Sequence, residues 1–68
     1  MRPITERVAA RIVELRKKRE MTQEDLASKT GLNRVTLARL ERAMHQPTLD
    51  TLDAIARALG VTLVDLVK

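Results

Sequence analysis

The stretch Thr22–Arg42, TQEDLASKTGLNRVTLARLER, restricts what this chain can fold into more than any other part of it. Two helical segments lie within it, one at about residues 22–30 and one at about 33–43, separated only by Gly31 and Leu32. Thr22 and Asp25 have the spacing of a near capping box, and Asn33 is the next candidate N-cap. Gly31 supplies the left-handed residue that ends the first segment. A connection this short cannot lay the two helices antiparallel, so they must cross steeply, as in a helix-turn-helix. Ala27 offers the small side chain that close approach requires. Leu26, Leu32, Leu37 and Leu40 are the candidate core beneath.

The flanking residues extend the helical pattern. Ile4, Val8, Ile12 and Leu15 recur at spacings of four, four and three, which predicts an amphipathic helix over about 5–19. Glu20 and Met21 break that pattern. Pro47 closes the loop that begins at Met44, and Thr48 then caps a fourth helix. On it Leu49, Leu52, Ile55, Ala56 and Leu59 share one face, while Asp50, Asp53 and Arg57 share the other. Gly60 ends this helix, and Thr62 with Asp65 opens a last short turn through Leu66. VTLV at 61–64 alternates but is too short, and too near a cap signal, for a strand. No repeat, linker or low-complexity run interrupts the chain. The expected fold is all-α: one domain over residues 1–68, a compact bundle of five short helices containing a helix-turn-helix.

A 68-residue chain lies near the lower limit for folding without a staple. With no aromatic residue, its core must be built from Leu, Ile, Val, Ala and Met. The absence of Cys excludes a disulfide framework, a Cys-ligated metal and thiol catalysis. Ser28 is the only Ser and His45 the only His, so no nucleophile–base–orienter set can be assembled. Glu24 and Asp25 are adjacent and diverge on a helix, unlike a working carboxylate pair. The chain is therefore expected not to be an enzyme and to use no metal or cofactor. No apolar run approaches the roughly 18 residues of a membrane span, and no signal peptide is evident, so no membrane partner and a cytoplasmic setting are expected.

What remains unexplained by folding is the outer face of the segment at 33–43. Wound at about 100° per residue, it carries Arg34, Val35, Ala38, Arg39 and Arg42 opposite the Leu37–Leu40 strip. That face has three arginines and no acid, and a Val that would normally be covered. Positive charge is concentrated there and in residues 1–20, which hold seven basic and three acidic side chains. The net charge is +4, and the pattern suits a polyanionic partner. Arg presents a fork of donors that matches guanine N7 and O6, and Val a methyl surface for the thymine C5-methyl group. With no aromatic side chain to stack unpaired bases, duplex DNA fits better than RNA.

Residues 22–42, together with the later PTLDTLDAIARALGV, resemble the lambda-repressor-like family, also called the Cro/repressor or XRE type. The resemblance covers about residues 8–66. It implies a five-helix domain whose third helix enters the major groove, usually as a homodimer on a pseudo-palindrome. Arg34, Val35 and Arg39 match positions that usually touch base edges, with Thr36 a borderline reader. Gln23 matches a residue that bonds a phosphate and braces a side chain at the start of the recognition helix. Asn33 and Arg42 match positions that meet the DNA backbone. Arg16 and Glu41 match a buried ion pair between the first and third helices. Where many members have Gly after ER, this chain has Ala43, so a non-left-handed exit from the third helix is expected. The loop that follows, often rich in Lys, Arg or Asn, is here MHQ, which leaves His45 as its phosphate donor.

Val13 lies opposite the apolar stripe of the first helix, as a contact for a partner or, the favoured reading, simply as an exposed Val. Leu63, Val64, Leu66 and Val67 are more apolar than a final short helix needs, and Val64 and Val67 are candidates for a dimer interface. The expected function is a sequence-specific DNA-binding transcriptional regulator, a repressor acting as a homodimer. The alternative is a protein-interaction module, such as an antitoxin that binds a toxin or another regulator as its partner, with DNA binding autoregulatory or incidental.

Overall fold

In the computed structural model, which describes residues 3–68, the chain forms five α-helices. They are α1 (Ile4–Lys18), α2 (Gln23–Thr30), α3 (Arg34–Glu41), α4 (Leu49–Leu59) and α5 (Leu63–Val67), and no strand occurs among the described residues. Met1 and Arg2, whose charge entered the count above, lie outside them.

Local chemistry sets the start of each helix after the first. The Thr22 hydroxyl accepts from the Asp25 N–H at 3.0 Å while the Asp25 carboxylate accepts from the Thr22 N–H at 2.8 Å, a complete capping box. Thr62 and Asp65 repeat it at α5. Asn33 Oδ1 accepts from the Val35 N–H at 2.7 Å, and the Thr48 hydroxyl accepts from the Thr51 N–H at 3.1 Å. Each bond satisfies a donor that the helix cannot pair internally.

The helix exits bring one correction. Gly31 (φ 76°) and Gly60 (φ 72°) take the left-handed conformation as expected, but so does Ala43, at φ 59°. The Met44 N–H donates to the Arg39 carbonyl at 2.9 Å and the Ala43 N–H to the Leu40 carbonyl at 3.1 Å, the two bonds of a Schellman motif. Those bonds close two otherwise orphaned carbonyls whatever side chain sits at the turn. They hold Ala43 in place against a Cβ penalty of roughly 1–2 kcal/mol. Glu20 (φ 54°) ends α1 the same way, with the Met21 N–H donating to the Arg16 carbonyl at 3.1 Å. Helix α3 accordingly stops at Glu41, with Arg42 as its C-cap.

α1 packs against α3, α4 and α5, while α2 lies on α3 and α4. The core between them is entirely aliphatic, with Ile12, Leu26, Leu37, Ile55, Leu59 and Leu66 almost completely enclosed. Leu49 departs from the expected core face and is 71% exposed. As the first residue of α4 it stands at the mouth of an open groove with no turn of its own helix before it, so the helical period alone misplaces it. With Ile4, Val8, Leu52 and Val67 it lines an open apolar groove of about 320 Å³.

Candidate nucleic-acid interface

The crossing of α2 and α3 is held by a short turn and a charged clamp. At the turn, the Thr30 hydroxyl donates toward the Leu26 and Ala27 carbonyls and accepts from the Leu32 N–H, a device the sequence pattern did not single out. At the other end, the Arg16 guanidinium grips Glu41 with both arms: Nε donates to Oε2 at 2.7 Å and Nη2 to Oε1 at 2.9 Å. The remaining nitrogen, Nη1, donates to the Met21 carbonyl at 2.8 Å. The two side chains are only 11% and 5% exposed, so the ion pair is almost wholly desolvated.

Gln23, the first residue of α2, joins this clamp. Its Nε2 donates to Glu41 Oε1 at 3.0 Å. The resemblance had this amide bracing a side chain at the start of α3; here it bonds to the last turn instead. The cause is chemical: a carboxylate oxygen accepts more than one hydrogen bond, and Arg16 leaves Oε1 with capacity to spare. One link of side chains thus joins the end of α1, the start of α2 and the end of α3.

The helix so held turns Arg34, Val35 and Arg39 to solvent, with Val35 57% exposed. Thr36 is half-buried at the edge of this face, and Asn33 and Arg42 are exposed at its two ends. Among the described residues none of Arg34, Arg39 and Arg42 takes part in an ion pair. Elsewhere Arg57 lies 3.1 Å from Asp53, and Arg11 is bonded to Glu14. The α3 guanidinium groups therefore keep their donors available. In the first turn of α2 the Asp25 N–H is capped by Thr22, the Gln23 and Glu24 N–H groups have no partner within the helix, and the carboxylates of Glu24 and Asp25 lie beside them.

Three candidate residues lie elsewhere. His45 is exposed in the loop after α3 and borders the apolar groove with Ile4 and Leu49. On α5, Val64 is 63% exposed, whereas Val67 is half-buried, packed on the core and lining the same groove. Arg11 carries no signal of its role in the sequence: its Nε donates to the Asp65 carbonyl at 3.1 Å, satisfying an acceptor near the C-terminal end of α5 from a position 54 residues away. Asp25 and Asp65 are both held below the ordinary value of 3.8, chiefly by the backbone N–H of Thr22 and Thr62 respectively and then by the threonine hydroxyls.

A five-helix domain whose second and third helices meet across a tight turn, with a free basic face on the third, defines a helix-turn-helix DNA-binding domain. The Helix-turn-helix family model HTH_3 matches residues 12–66, and the chain belongs to this family of DNA-binding transcriptional regulators, which are not enzymes. The chain is 48% identical over 54 residues to the immunity repressor protein of Bacillus phage phi105, a match covering 79% of this chain and 38% of the repressor. It therefore spans well under half the length of that relative. An uncharacterized HTH-type transcriptional regulator of Archaeoglobus fulgidus is 43% identical over 56 residues, covering 82% of this chain and 80% of the regulator. Among solved structures, the restriction-modification controller protein C.AhdI from Aeromonas hydrophila superposes with a TM-score of 0.89 at 29% identity, over 91% of this chain and 94% of that one. The wild-type restriction-modification controller protein C.Esp1396I gives 0.88 at 32% identity, over 97% and 86%. Among the described residues no helix is long and apolar enough to cross a membrane.

Proposed function

We propose that this protein is a sequence-specific repressor that binds a pseudo-palindromic operator as a homodimer. The observation that carries the reading is the face of α3: an exposed Val between two arginines that have no ion-pair partner among the described residues. In water such a surface gains nothing, whereas against a major groove each group has a counterpart. Arg34, Val35 and Arg39 are assigned to base edges, with Thr36 at their margin. Gln23, Asn33, Arg42 and His45 are assigned to phosphates.

Dimensions favour a dimer. The molecule is 31 Å along its longest axis, while successive major-groove faces on one side of a duplex lie about 34 Å apart. One copy offers α3 to a single half-site. Val64 and Val67 are the residues assigned to the contact between copies. Repression follows from occupying a promoter, and it is the role that the name of the phage relative carries.

Selection from a random duplex library, with affinities repeated at several salt concentrations, tests the reading. Two inverted half-sites about one helical turn apart are expected. Binding without an enriched motif that disappears as salt rises would leave only a non-specific basic surface and bring the protein-partner alternative forward. On the selected operator, Arg34→Ala and Arg39→Ala should each remove about 1–3 kcal/mol of discrimination at defined bases without changing the melting temperature. Loss of folding in either variant would contradict a reading role.

A further inference from the structure

We infer that Glu41 is a positioning residue for the contact of Gln23 with the DNA backbone, an inference that rests on the DNA-binding reading above. A glutamine amide at a helix start is ordinarily free to rotate and to exchange its oxygen and nitrogen. Here it is not. The Gln23 Nε2–H donates to Glu41 Oε1 at 3.0 Å, and the opposite flip would set the amide carbonyl against a carboxylate oxygen. The flip state is therefore dictated by charge, and so is the direction of the second Nε2 hydrogen, because the amide is planar.

Glu41 is itself immobile. Its two oxygens are held by Arg16 Nε and Nη2, its side chain is 5% exposed, and Arg16 is tied further to the Met21 carbonyl. A fixed carboxylate thus determines where a neutral donor sits beside the unpaired N–H groups that begin α2. Arg16 balances the charge of Glu41, so an incoming phosphate meets a neutral pair with an outward donor rather than a bare carboxylate. The ion pair consequently serves the DNA backbone contact as well as the fold. The two roles separate because an apolar pair replacing both partners preserves packing but orients nothing.

Two measurements test this. The first uses the side-chain amide signals in NMR, with Gln46, exposed and the only other Gln, as an internal reference. The Gln23 amide hydrogens should exchange more slowly than those of Gln46 and lose that protection in the doubly substituted Arg16→Met, Glu41→Leu protein. Equal exchange of the two amides in the native protein would overturn the inference. The second compares Gln23→Ala in the native and doubly substituted backgrounds on the selected operator and on mutated operators. In the native background a loss of roughly 5–10-fold, equal across all duplexes, is expected, the size of one hydrogen bond. In the doubly substituted background the same change should cost less than about twofold. Equal losses in both backgrounds would show that Glu41 orients nothing. Should the double substitution fail to melt cooperatively, the comparison moves to Glu41→Gln, whose amide no longer dictates the Gln23 flip by charge. There the loss on Gln23→Ala should again fall below about twofold, and a loss equal to that in the native background counts against the proposal. If the native protein binds no duplex, the DNA-binding reading fails and this inference with it, whereas exchange data alone still report whether the link exists.

Discussion

At its C-terminal end α1 is joined to α2 and α3 by a charged clamp, whereas ahead of Arg11, whose guanidinium bonds to the Asp65 carbonyl, it meets α4 and α5 through aliphatic contacts. Arg16, Glu41 and Val8 are all largely buried, yet the two regions constrain the chain differently. Arg16, Glu41 and Gln23 bond only in one arrangement, and that arrangement fixes the helix that carries Arg34, Val35 and Arg39. Val8 and its neighbours exclude water without demanding a unique geometry, and their surface opens into the groove lined by Ile4, Leu49 and Val67. The end of α1 nearest the proposed reading helix is specified by hydrogen bonds. The other end is merely covered.

Breaking the clamp on one side only should have the largest effect. Glu41→Ala leaves Arg16 desolvated with a single carbonyl partner, and a loss of about 3–5 kcal/mol is expected by chemical denaturation. An unchanged midpoint would mean that the pair is not buried in solution. Val8→Ala probes the opposite end. It removes two methylene equivalents from a side chain 6% exposed and should cost about 2 kcal/mol. If this loss matched that of Glu41→Ala, the two ends would not differ in the way described.

A smaller gain is expected from Ala43→Gly, which relieves a left-handed Cβ at the exit of α3 and should stabilise by roughly 1 kcal/mol, read as a raised melting temperature. Smallest is the acid response of the two exposed capping boxes. Asp25 and Asp65 titrate below their ordinary value of 3.8 in the folded chain, so their contribution is present above that pH and fades as pH falls through the lowered values. Asp25→Asn and Asp65→Asn should slightly lower the neutral plateau, where the carboxylates contribute, and so flatten the acid limb of a stability profile below about pH 4. An unaltered limb would show that the boxes do not persist in solution.

Features written in adjacent residues were legible beforehand. Thr22 with Asp25, Thr62 with Asp65, and the glycines at 31 and 60 mark helix ends because cap geometry involves spans of a few residues. The pairing of Arg16 with Glu41 came from resemblance, since nothing local connects residues 25 apart. The Gln23–Glu41 bond and the Arg11 contact with the Asp65 carbonyl are long-range results of packing that no periodicity encodes. Ala43 departs from its sequence signal for a different reason. The missing glycine suggested another path, but two backbone bonds outweigh the cost of a methyl group. Leu49 shows that a helical wheel ends before the helix does: its angle is that of a core residue, but it faces an open groove.

The aliphatic core has an optical consequence. A protein with no Trp, Tyr or Phe is nearly silent in near-ultraviolet absorbance and emission. In a mixture with DNA, near-ultraviolet absorbance therefore comes from the bases alone. A single tryptophan placed at the exposed position Leu49, on the lip of the groove, would report from that site without background.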